Sequence, residues 1–163
     1  MSPWRTKLRL TVPAGLAALT LATAGALSPA SAATNWSYRN GYGSCLNVGG
    51  WGSNEYVITI DCYDTTSQLF HWGSESNTWQ GHTMRRLVNN YSGNCVTSDN
   101  ATELNAVWMS PCGGGRSGQF WTADDGRIQN QNGNFLIGDD IGPLNTVREL
   151  GTGAAFQWIG STH

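Results

Sequence analysis

Residues 115–123, GRSGQFWTA, place a small polar loop directly before an aromatic pair that ends in tryptophan. Two other stretches have the same arrangement, SQLFHWGS at 67–74 and AAFQWIGS at 154–161. A short chain that ends three segments in the same way is expected to contain an internal repeat. If it does, the residues upstream of each tryptophan should also correspond.

The residues upstream of the three tryptophans do correspond. Residues 36–62, 86–112 and 126–152 align without a gap. The three blocks share an asparagine, a glycine and a valine, at Asn40, Asn90 and Asn130, at Gly43, Gly93 and Gly133, and at Val57, Val107 and Val147. The sequence therefore predicts one unit used three times, with copies at about 36–73, 86–122 and 126–160.

Four cysteines lie in the first two copies, and an even number in an exported chain is typical of disulfides. The same spacing separates Cys45 from Cys62 and Cys95 from Cys112. The third copy has lost both members of this pair. Three pairings are possible, and the equal spacing and the joint loss favour pairing within a copy. A zinc site is the alternative, but the chain has no CxxC spacing.

Each copy has the pattern of short strands joined by turns. The stretch RIQNQNGNFLIG (127–138) contains Asn132 and Gly133, a strong two-residue hairpin signal, and apolar residues alternate loosely with polar ones on either side. No segment has a sustained helical period. We therefore predict an all-β fold with about four strands per copy and about twelve in all.

The repeat resembles a known family. The SCLNV and NCVTS starts, the cysteine pairs and the GQFW terminus are similar to the ricin B-type lectin repeat, and the resemblance covers residues 36–160. It implies a β-trefoil of three four-strand repeats with pseudo-three-fold symmetry. The full Gln-x-Trp of the family stands only in the second copy, at Gln119 and Trp121. The first copy has Phe70, and the third has Phe156, in place of the glutamine.

The family resemblance separates structural tryptophans from candidate ligand contacts. It implies that Trp72, Trp121 and Trp158 lie in the hydrophobic core. In sugar-binding copies, the residues two and four positions before the second cysteine point toward the ligand, and in the second copy these are Ser110 and Trp108. An aromatic ring packs well on the apolar C–H face of a sugar, so we expect Trp108 to contact a ligand.

The chain departs from the family two residues after the first cysteine, where sugar-binding copies that resemble ricin carry an aspartate. Asn47, Thr97 and Ile137 stand there instead. Asp99 and Asp139 lie two residues further on, and our interpretation is that their carboxylates replace the missing aspartate. The alternative is that these acidic residues simply form turns. The candidate ligand contacts are Asn47 and Trp51 in the first copy, Asp99, Asn100, Trp108, Ser110 and Gln119 in the second, and Asp139, Asp140, Asn145 and Arg148 in the third.

The N-terminus has the pattern of a secretory signal peptide over residues 1–32. Basic residues at positions 5–9 precede an apolar run over 12–27, and small residues at 30–32 fit a signal peptidase. A membrane anchor is the alternative, but Pro13 and Gly15 interrupt the run, which is shorter than the roughly 20 residues that a span needs. We predict cleavage after Ala32, an extracellular location and no membrane insertion.

Charge and motifs narrow the function. Nine basic and eleven acidic residues give a net charge of −2, which does not favour nucleic acid or anionic lipid as a partner. The sequence has no HExxH, no GxSxG and no phosphate-binding glycine loop, so we expect no enzyme activity, cofactor or metal. The leading hypothesis is a secreted module that binds a glycan or polysaccharide. The alternative is a β-trefoil with decayed sugar sites that binds a separate secreted protein, as a toxin-complex adaptor subunit or as an inhibitor of an extracellular enzyme.

Overall fold

The structure is a computed structural model that describes residues 33–50 and 52–163. The predicted signal peptide and Trp51 lie outside the described residues. The described residues form β-strands and short 3₁₀ helices, which confirms the all-β prediction. Within this part of the chain, no helix has the length and apolar character needed to cross a bilayer.

The described residues contain thirteen strands. The first copy contributes β1 Asn35–Asn40, β2 Cys45–Gly49, β3 Tyr56–Ile60 and β4 Phe70–Trp79. The second contributes β5 His82–Asn89, β6 Cys95–Ser98, β7 Leu104–Ser110 and β8 Phe120–Thr122. The third contributes β9 Gln129–Asn130, β10 Phe135–Ile137, β11 Gly142–Pro143, β12 Asn145–Val147 and β13 Trp158–Thr162. The strand beyond the expected twelve is β11, a two-residue strand that pairs with β3.

Four 3₁₀ helices connect the strands of the described chain, and three of them immediately precede an aromatic strand. Their bounds are Gly52–Asn54, Thr66–Gln68, Ser117–Gln119 and Ala154–Phe156. The last three stand where the sequence has its polar loops before the aromatic pairs. The predicted polar loops are therefore single helical turns that deliver the chain into β4, β8 and β13.

All thirteen strands belong to one sheet with antiparallel pairings. The two ends of the described chain meet, because β1 pairs with β13 from Trp36 opposite Thr162 to Asn40 opposite Trp158. Strand β7 pairs with β3 of the first copy and with β12 of the third. These long-range pairings make the copies interdependent, since no copy completes its hydrogen bonds alone.

The apolar side chains of the three copies form one hydrophobic core. Its members are Tyr38, Leu46, Val48, Val57, Phe70, Leu87, Val96, Val107, Met109, Trp121, Ile128, Leu136, Leu144 and Trp158. Full burial of a side chain of this size is worth about 1.5–3 kcal/mol. Tyr38 lies in this core, and burial raises the pKa of its hydroxyl, so it stays neutral.

The disulfides pair within copies as the spacing favoured. Cys45 is bonded to Cys62, and Cys95 to Cys112. Each bond spans a sequence separation of 17 residues. In the loop-entropy description, closing a loop of this size stabilises the fold by roughly 3 kcal/mol. The bonds join the second strand of a copy to the segment that follows its third strand.

An asparagine side chain organises the first turn of each copy, and the structure corrects which one does so in the second. The Asn40 Oδ1 atom accepts backbone N–H bonds from the turn at 3.1 and 3.0 Å. Asn130 Oδ1 makes the same pair at 3.1 and 3.0 Å, and Asn89 Oδ1 accepts from the N–H groups two and three residues further on, at 3.1 and 3.3 Å. The alignment placed Asn90 here, and that prediction is wrong. Asn90 instead bonds His71 and Asn35, because the second turn contains one extra residue.

In the first copy, the Gln-x-aromatic motif lies two residues earlier than the sequence alignment placed it, at Gln68 and Phe70. Gln68 donates to Asp61 O at 2.8 Å and accepts from Tyr63 N at 2.6 Å, and both partners flank a disulfide cysteine. Gln119 makes the equivalent bonds to Pro111 O at 3.0 Å and from Gly113 N at 3.1 Å. The first copy therefore does contain the glutamine, and the prediction that Phe70 replaces it was wrong.

The same shift changes the core aromatic residue of the first copy. Phe70 is fully buried at the position that Trp121 and Trp158 hold in the other copies, whereas Trp72 is half-buried and packs against the core from outside. The indole nitrogens of Trp121 and Trp158 donate to Val96 O at 2.8 Å and Leu136 O at 3.0 Å. The core assignment is thus confirmed for Trp121 and Trp158 and is wrong for Trp72.

Candidate functional site

A surface cleft of about 480 Å³ lies in the second copy, and we call it the copy-two cleft. Trp108 on β7 stands directly opposite Thr97 on β6. Asp99 and Asn100 follow β6 in the adjoining loop. The residues that line the cleft are Thr97, Ser98, Asp99, Asn100, Trp108, Arg116, Ser117, Gly118 and Asn132. Three of the five contacts predicted for this copy therefore come together.

Strand alternation positions Trp108. Val107 and Met109 on either side of it are buried in the core, as the period-two pattern predicts. Trp108 points the other way and remains half-buried, so part of its ring faces the cleft. An aromatic side chain held by its own strand in this way offers a flat apolar surface that does not have to be ordered on binding.

A network of side-chain hydrogen bonds connects Thr97 of the cleft to buried residues behind it. The hydroxyls of Thr97 and Ser110 lie 2.7 Å apart, and Thr97 also donates to Cys95 O at 2.9 Å. Gln119 Nε2 donates to Ser110 Oγ at 2.8 Å and to Thr97 Oγ1 at 3.3 Å. Buried polar groups satisfied by one another hold the two strands in a fixed register beneath the cleft.

This network corrects two predicted ligand contacts. Gln119 is fully buried, and all its polar atoms are used within the protein. Ser110 is also buried, and its hydroxyl faces Thr97 and Gln119. Both residues support Thr97 from behind. Neither side chain lines the cleft.

The loop that carries the acidic and amide groups is tied to the third copy. Asn134 Nδ2 donates to Asp99 O at 3.2 Å and to Asn100 Oδ1 at 3.3 Å. Arg148 Nη2 donates to the same Asn100 oxygen at 3.3 Å. The Asp99 carboxylate itself accepts only a long bond, 3.4 Å, from the Ala101 backbone N–H among the described residues. It therefore keeps most of its acceptor capacity for a ligand.

One glycine sets the far wall of the cleft. A Cβ atom built on Gly118 would lie 1.7 Å from Ser98 O, so no other residue fits without displacing the strand. Next to it, Ser117 Oγ donates to Asn132 Oδ1 at 2.5 Å. The 3₁₀ turn at 117–119 and the turn at Asn132 thus close against β6. This close approach makes the depression a walled cleft.

The contacts predicted for the third copy do not act as one set. The Asp140 carboxylate accepts a 2.7 Å hydrogen bond from Ser44 of the first copy. The carbonyl of Asp139 accepts bonds from Asn40 at 2.8 Å and Thr59 at 2.9 Å. These bonds give both residues structural roles in joining the first and third copies.

The other two predicted residues of the third copy also serve elsewhere. Arg148 reaches Asn100 of the second copy and forms a 3.6 Å ion pair with Glu103. Asn145 lies on β12 opposite Ile137 and Ala106. Arg148, predicted as a ligand contact of the third copy, therefore contacts the second copy. Its position at the edge of the copy-two cleft follows from the pairing of β12 with β7.

In the first copy, the structure describes one of the two predicted ligand contacts, Asn47, and this residue is buried. Asn47 is 6% exposed, and its side-chain oxygen accepts a 2.9 Å hydrogen bond from Ser67. Asn47 thus bonds the turn before the aromatic strand, as Thr97 does through Gln119 in the second copy. Its expected partner Trp51 lies outside the described residues.

Sequence reasoning missed six of the residues that line the cleft, namely Thr97, Ser98, Arg116, Ser117, Gly118 and Asn132. Arg116 and Ser117 belong to the glycine-rich loop before the Gln-x-Trp motif, and this loop was the available signal. Asn132 belongs to the next copy, so no local pattern indicated it. Among the described residues, no group of three or more His, Cys, Asp or Glu side chains is arranged to hold a metal ion.

Comparison with known proteins adds fold relatives but no close sequence relatives. No protein-family model and no curated protein matches the chain. A designed three-fold symmetric protein, ThreeFoil, superposes with a TM-score of 0.60 at 19% identity, covering 77% of this chain and 96% of that one. The C-terminal half of the earthworm R-type lectin, in complex with GalNAc, superposes with a TM-score of 0.60 at 14% identity. The superposition covers 80% of this chain and 99% of that one.

A third solved structure gives a similar result. The agglutinin from Abrus precatorius superposes with a TM-score of 0.64 at 18% identity, covering 83% of this chain and 51% of that one. At such identities the likeness concerns the fold and leaves the sites open. The chain shares its fold with β-trefoil and ricin B-type lectin structures.

Proposed function

We propose that this chain is a secreted, non-catalytic carbohydrate-binding module and that the copy-two cleft is its binding site. The single observation that carries the proposal is the grouping of the half-buried Trp108 ring with Asp99 and Asn100 in one walled cleft of about 480 Å³. The fold relatives support this proposal, because the structure of the earthworm R-type lectin is a complex with the sugar GalNAc.

The chemistry of the cleft suits a sugar ring. The exposed part of Trp108 can pack on the apolar C–H face, where an aromatic surface is favourable. The Asp99 carboxylate accepts hydrogen bonds from hydroxyls, and the Asn100 side chain offers further polar contacts at the same edge. In this arrangement Asp99 replaces the aspartate that the family carries at the position of Thr97. The carboxylate then reaches the ligand from the loop, while Thr97 serves the hydrogen-bond network behind the cleft.

We further propose that the domain is a β-trefoil of three four-strand repeats related by pseudo-three-fold symmetry. The asparagine-centred turns recur at Asn40, Asn89 and Asn130. The core aromatic residue follows a 3₁₀ turn in every copy. The two disulfides occupy matching positions.

Export of the domain after cleavage at Ala32 is part of the proposal. The two disulfides support it, since such bonds persist in oxidising compartments. Mass determination of the protein recovered from the culture medium tests this directly. A mature N-terminus at Ala33 is the expected result, and retention of residues 1–32 would contradict it.

A glycan array on the secreted protein, with both disulfides intact, tests the binding function. We expect a defined glycan hit that the free sugar blocks. Trp108→Ala should weaken it at least about tenfold, because the stacking surface is lost. Tyr42→Ala is the matched control, since Tyr42 is an aromatic side chain that is 52% exposed and lies outside the cleft.

Two results would overturn this site. Equal losses in both variants would mean that the effect is general and does not concern the cleft. A clean array, together with capture of one secreted protein by the wild-type chain, would move the function to a protein-binding subunit.

A further inference from the structure

A second pocket of about 640 Å³ lies apart from the copy-two cleft, and no residue lines both. All three copies contribute to it. Its lining residues are Trp36, Tyr38, Trp72, Thr83, Arg85, Trp121, Thr122, Ala123, Asp124, Gly126, Trp158 and Gly160. We call it the aromatic pocket. None of the candidate sugar contacts that the structure describes belongs to its lining.

The pocket is built from equivalent positions filled unequally. Trp36, Arg85 and Gly126 each stand four residues before the turn asparagine of their copy. At this position the first copy has a tryptophan, the second has an arginine, and the third has a glycine, which has no side chain. All three positions line the pocket.

A second set of equivalent positions also carries side chains of different size in the three copies. Trp72, Ala123 and Gly160 each stand two residues after the core aromatic residue of their copy. The first copy again supplies the large aromatic side chain, and the other copies supply small residues. Space that three similar side chains would fill is left open by the second and third copies, and this asymmetry creates the pocket.

The aromatic wall of the pocket is ordered by ring contacts. Trp36 stacks on Tyr38, with ring centroids 6.3 Å apart and an interplanar angle of 13°. Trp72 meets Tyr38 edge-on at 77° and 6.3 Å. A Cβ atom on Gly160 would lie 3.1 Å from both the Trp36 and Tyr38 rings, so the glycine lets these rings lie against β13. Trp36 and Trp72 are both half-buried, so each keeps part of its ring exposed.

Two charged side chains line the pocket, Arg85 and Asp124. Arg85 is exposed on β5, and within the described residues its guanidinium makes no hydrogen bond or ion pair. The carboxylate of Asp124, which also lines the pocket, is engaged by His82 at 2.7 Å and by Thr122 at 2.6 Å. The neighbouring Arg86 is neutralised by Glu75 and lies over the Phe120 ring. Among the charged side chains that line the pocket, Arg85 is therefore the one whose charge is left to a ligand, and it lies beside the aromatic wall.

We propose that the aromatic pocket binds a small aromatic carboxylate. The ring of such a ligand packs on Trp36 and Trp72, and its carboxylate pairs with the Arg85 guanidinium, whose planar fork matches a carboxylate. A neutral sugar would use the tryptophan surfaces but would not need the positive charge. The carboxylate is thus the feature that the pocket selects, and this site is independent of the proposed sugar-binding function.

Calorimetric titration of the secreted protein with 2-naphthoate and with its neutral analogue 2-naphthamide tests the proposal. We expect 2-naphthoate to bind about three- to fivefold more tightly, the range for a partly exposed charge pair. Arg85→Gln should abolish this preference while leaving the amide unaffected. Ala123→Leu should abolish binding of both compounds, because its larger side chain occupies the pocket.

The controls separate this site from the copy-two cleft and from misfolding. Tyr42→Ala should bind 2-naphthoate as the wild-type protein does, and a saturating glycan from the array should not compete. Arg85 is exposed, so Arg85→Gln carries the test even if Ala123→Leu does not fold. Equal binding of the two compounds, a preference that persists in Arg85→Gln, or no binding of either compound would each overturn the proposal.

Discussion

Replacement of Gln68 by alanine tests the shifted motif of the first copy. Gln68 is 1% exposed, and its amide bridges Asp61 O and Tyr63 N on the two sides of Cys62. Gln68→Ala leaves one backbone donor and one backbone acceptor without their partners. An unsatisfied buried group costs about 1–3 kcal/mol, and because residues 61 and 63 are exposed, water compensates in part. We therefore expect a loss of about 2–3 kcal/mol in the free energy of unfolding.

Urea unfolding with intact disulfides, followed by tryptophan fluorescence, measures this loss. Gln157→Ala is the matched control, because Gln157 is exposed and makes no side-chain hydrogen bond among the described residues. It should change stability by less than about 0.5 kcal/mol. If Gln68→Ala were as mild as this control, the glutamine would not hold the disulfide segment, and the equivalence of Gln68 with Gln119 would be refuted.

Two further outcomes follow from particular contacts. Gly118→Ala should lower stability by about 1–3 kcal/mol and weaken glycan binding, whereas Gly153→Ala, whose Cβ meets no atom within 4 Å, should be neutral in thermal melts and on the array. Hydrogen bonds from Thr122 and His82 lower the pKa of Asp124, so its stabilising contribution is present above the ordinary carboxyl value of 3.8 and is lost as pH falls through the lowered folded value. The difference in melting temperature between wild type and Asp124→Asn should therefore shrink below about pH 4, and a difference independent of pH would contradict this.

The fold and the covalent frame were largely predictable from the sequence. Equal cysteine spacing indicated both disulfides, and the structure contains them. Alternation along β7 predicted that Val107 and Met109 face the core and that Trp108 faces away. These predictions succeed because they depend on residue types repeated at fixed intervals, and burial of apolar side chains follows such intervals directly.

The precise equivalence of positions was not predictable from a gapless alignment. Asn89 and Asn90 are identical neighbours, so only the turn geometry reveals which one bonds the backbone. Phe70 and Trp72 are two residues apart on one strand, where side chains point to the same face. A shift of two therefore preserves the alternation of β4 while changing which aromatic side chain enters the core.

Sequence alone was sufficient to predict an all-β chain, two disulfides and a tryptophan at position 108 that faces away from the core. The tertiary structure determines which polar side chains remain available at the cleft, since Gln119 and Ser110 are satisfied by each other while Arg148 reaches the second copy. It also decided that unequal residues at equivalent positions leave an aromatic pocket. The physical reason is that repeats and alternation are local, whereas the hydrogen-bond partners and free space of a side chain come from segments distant in sequence.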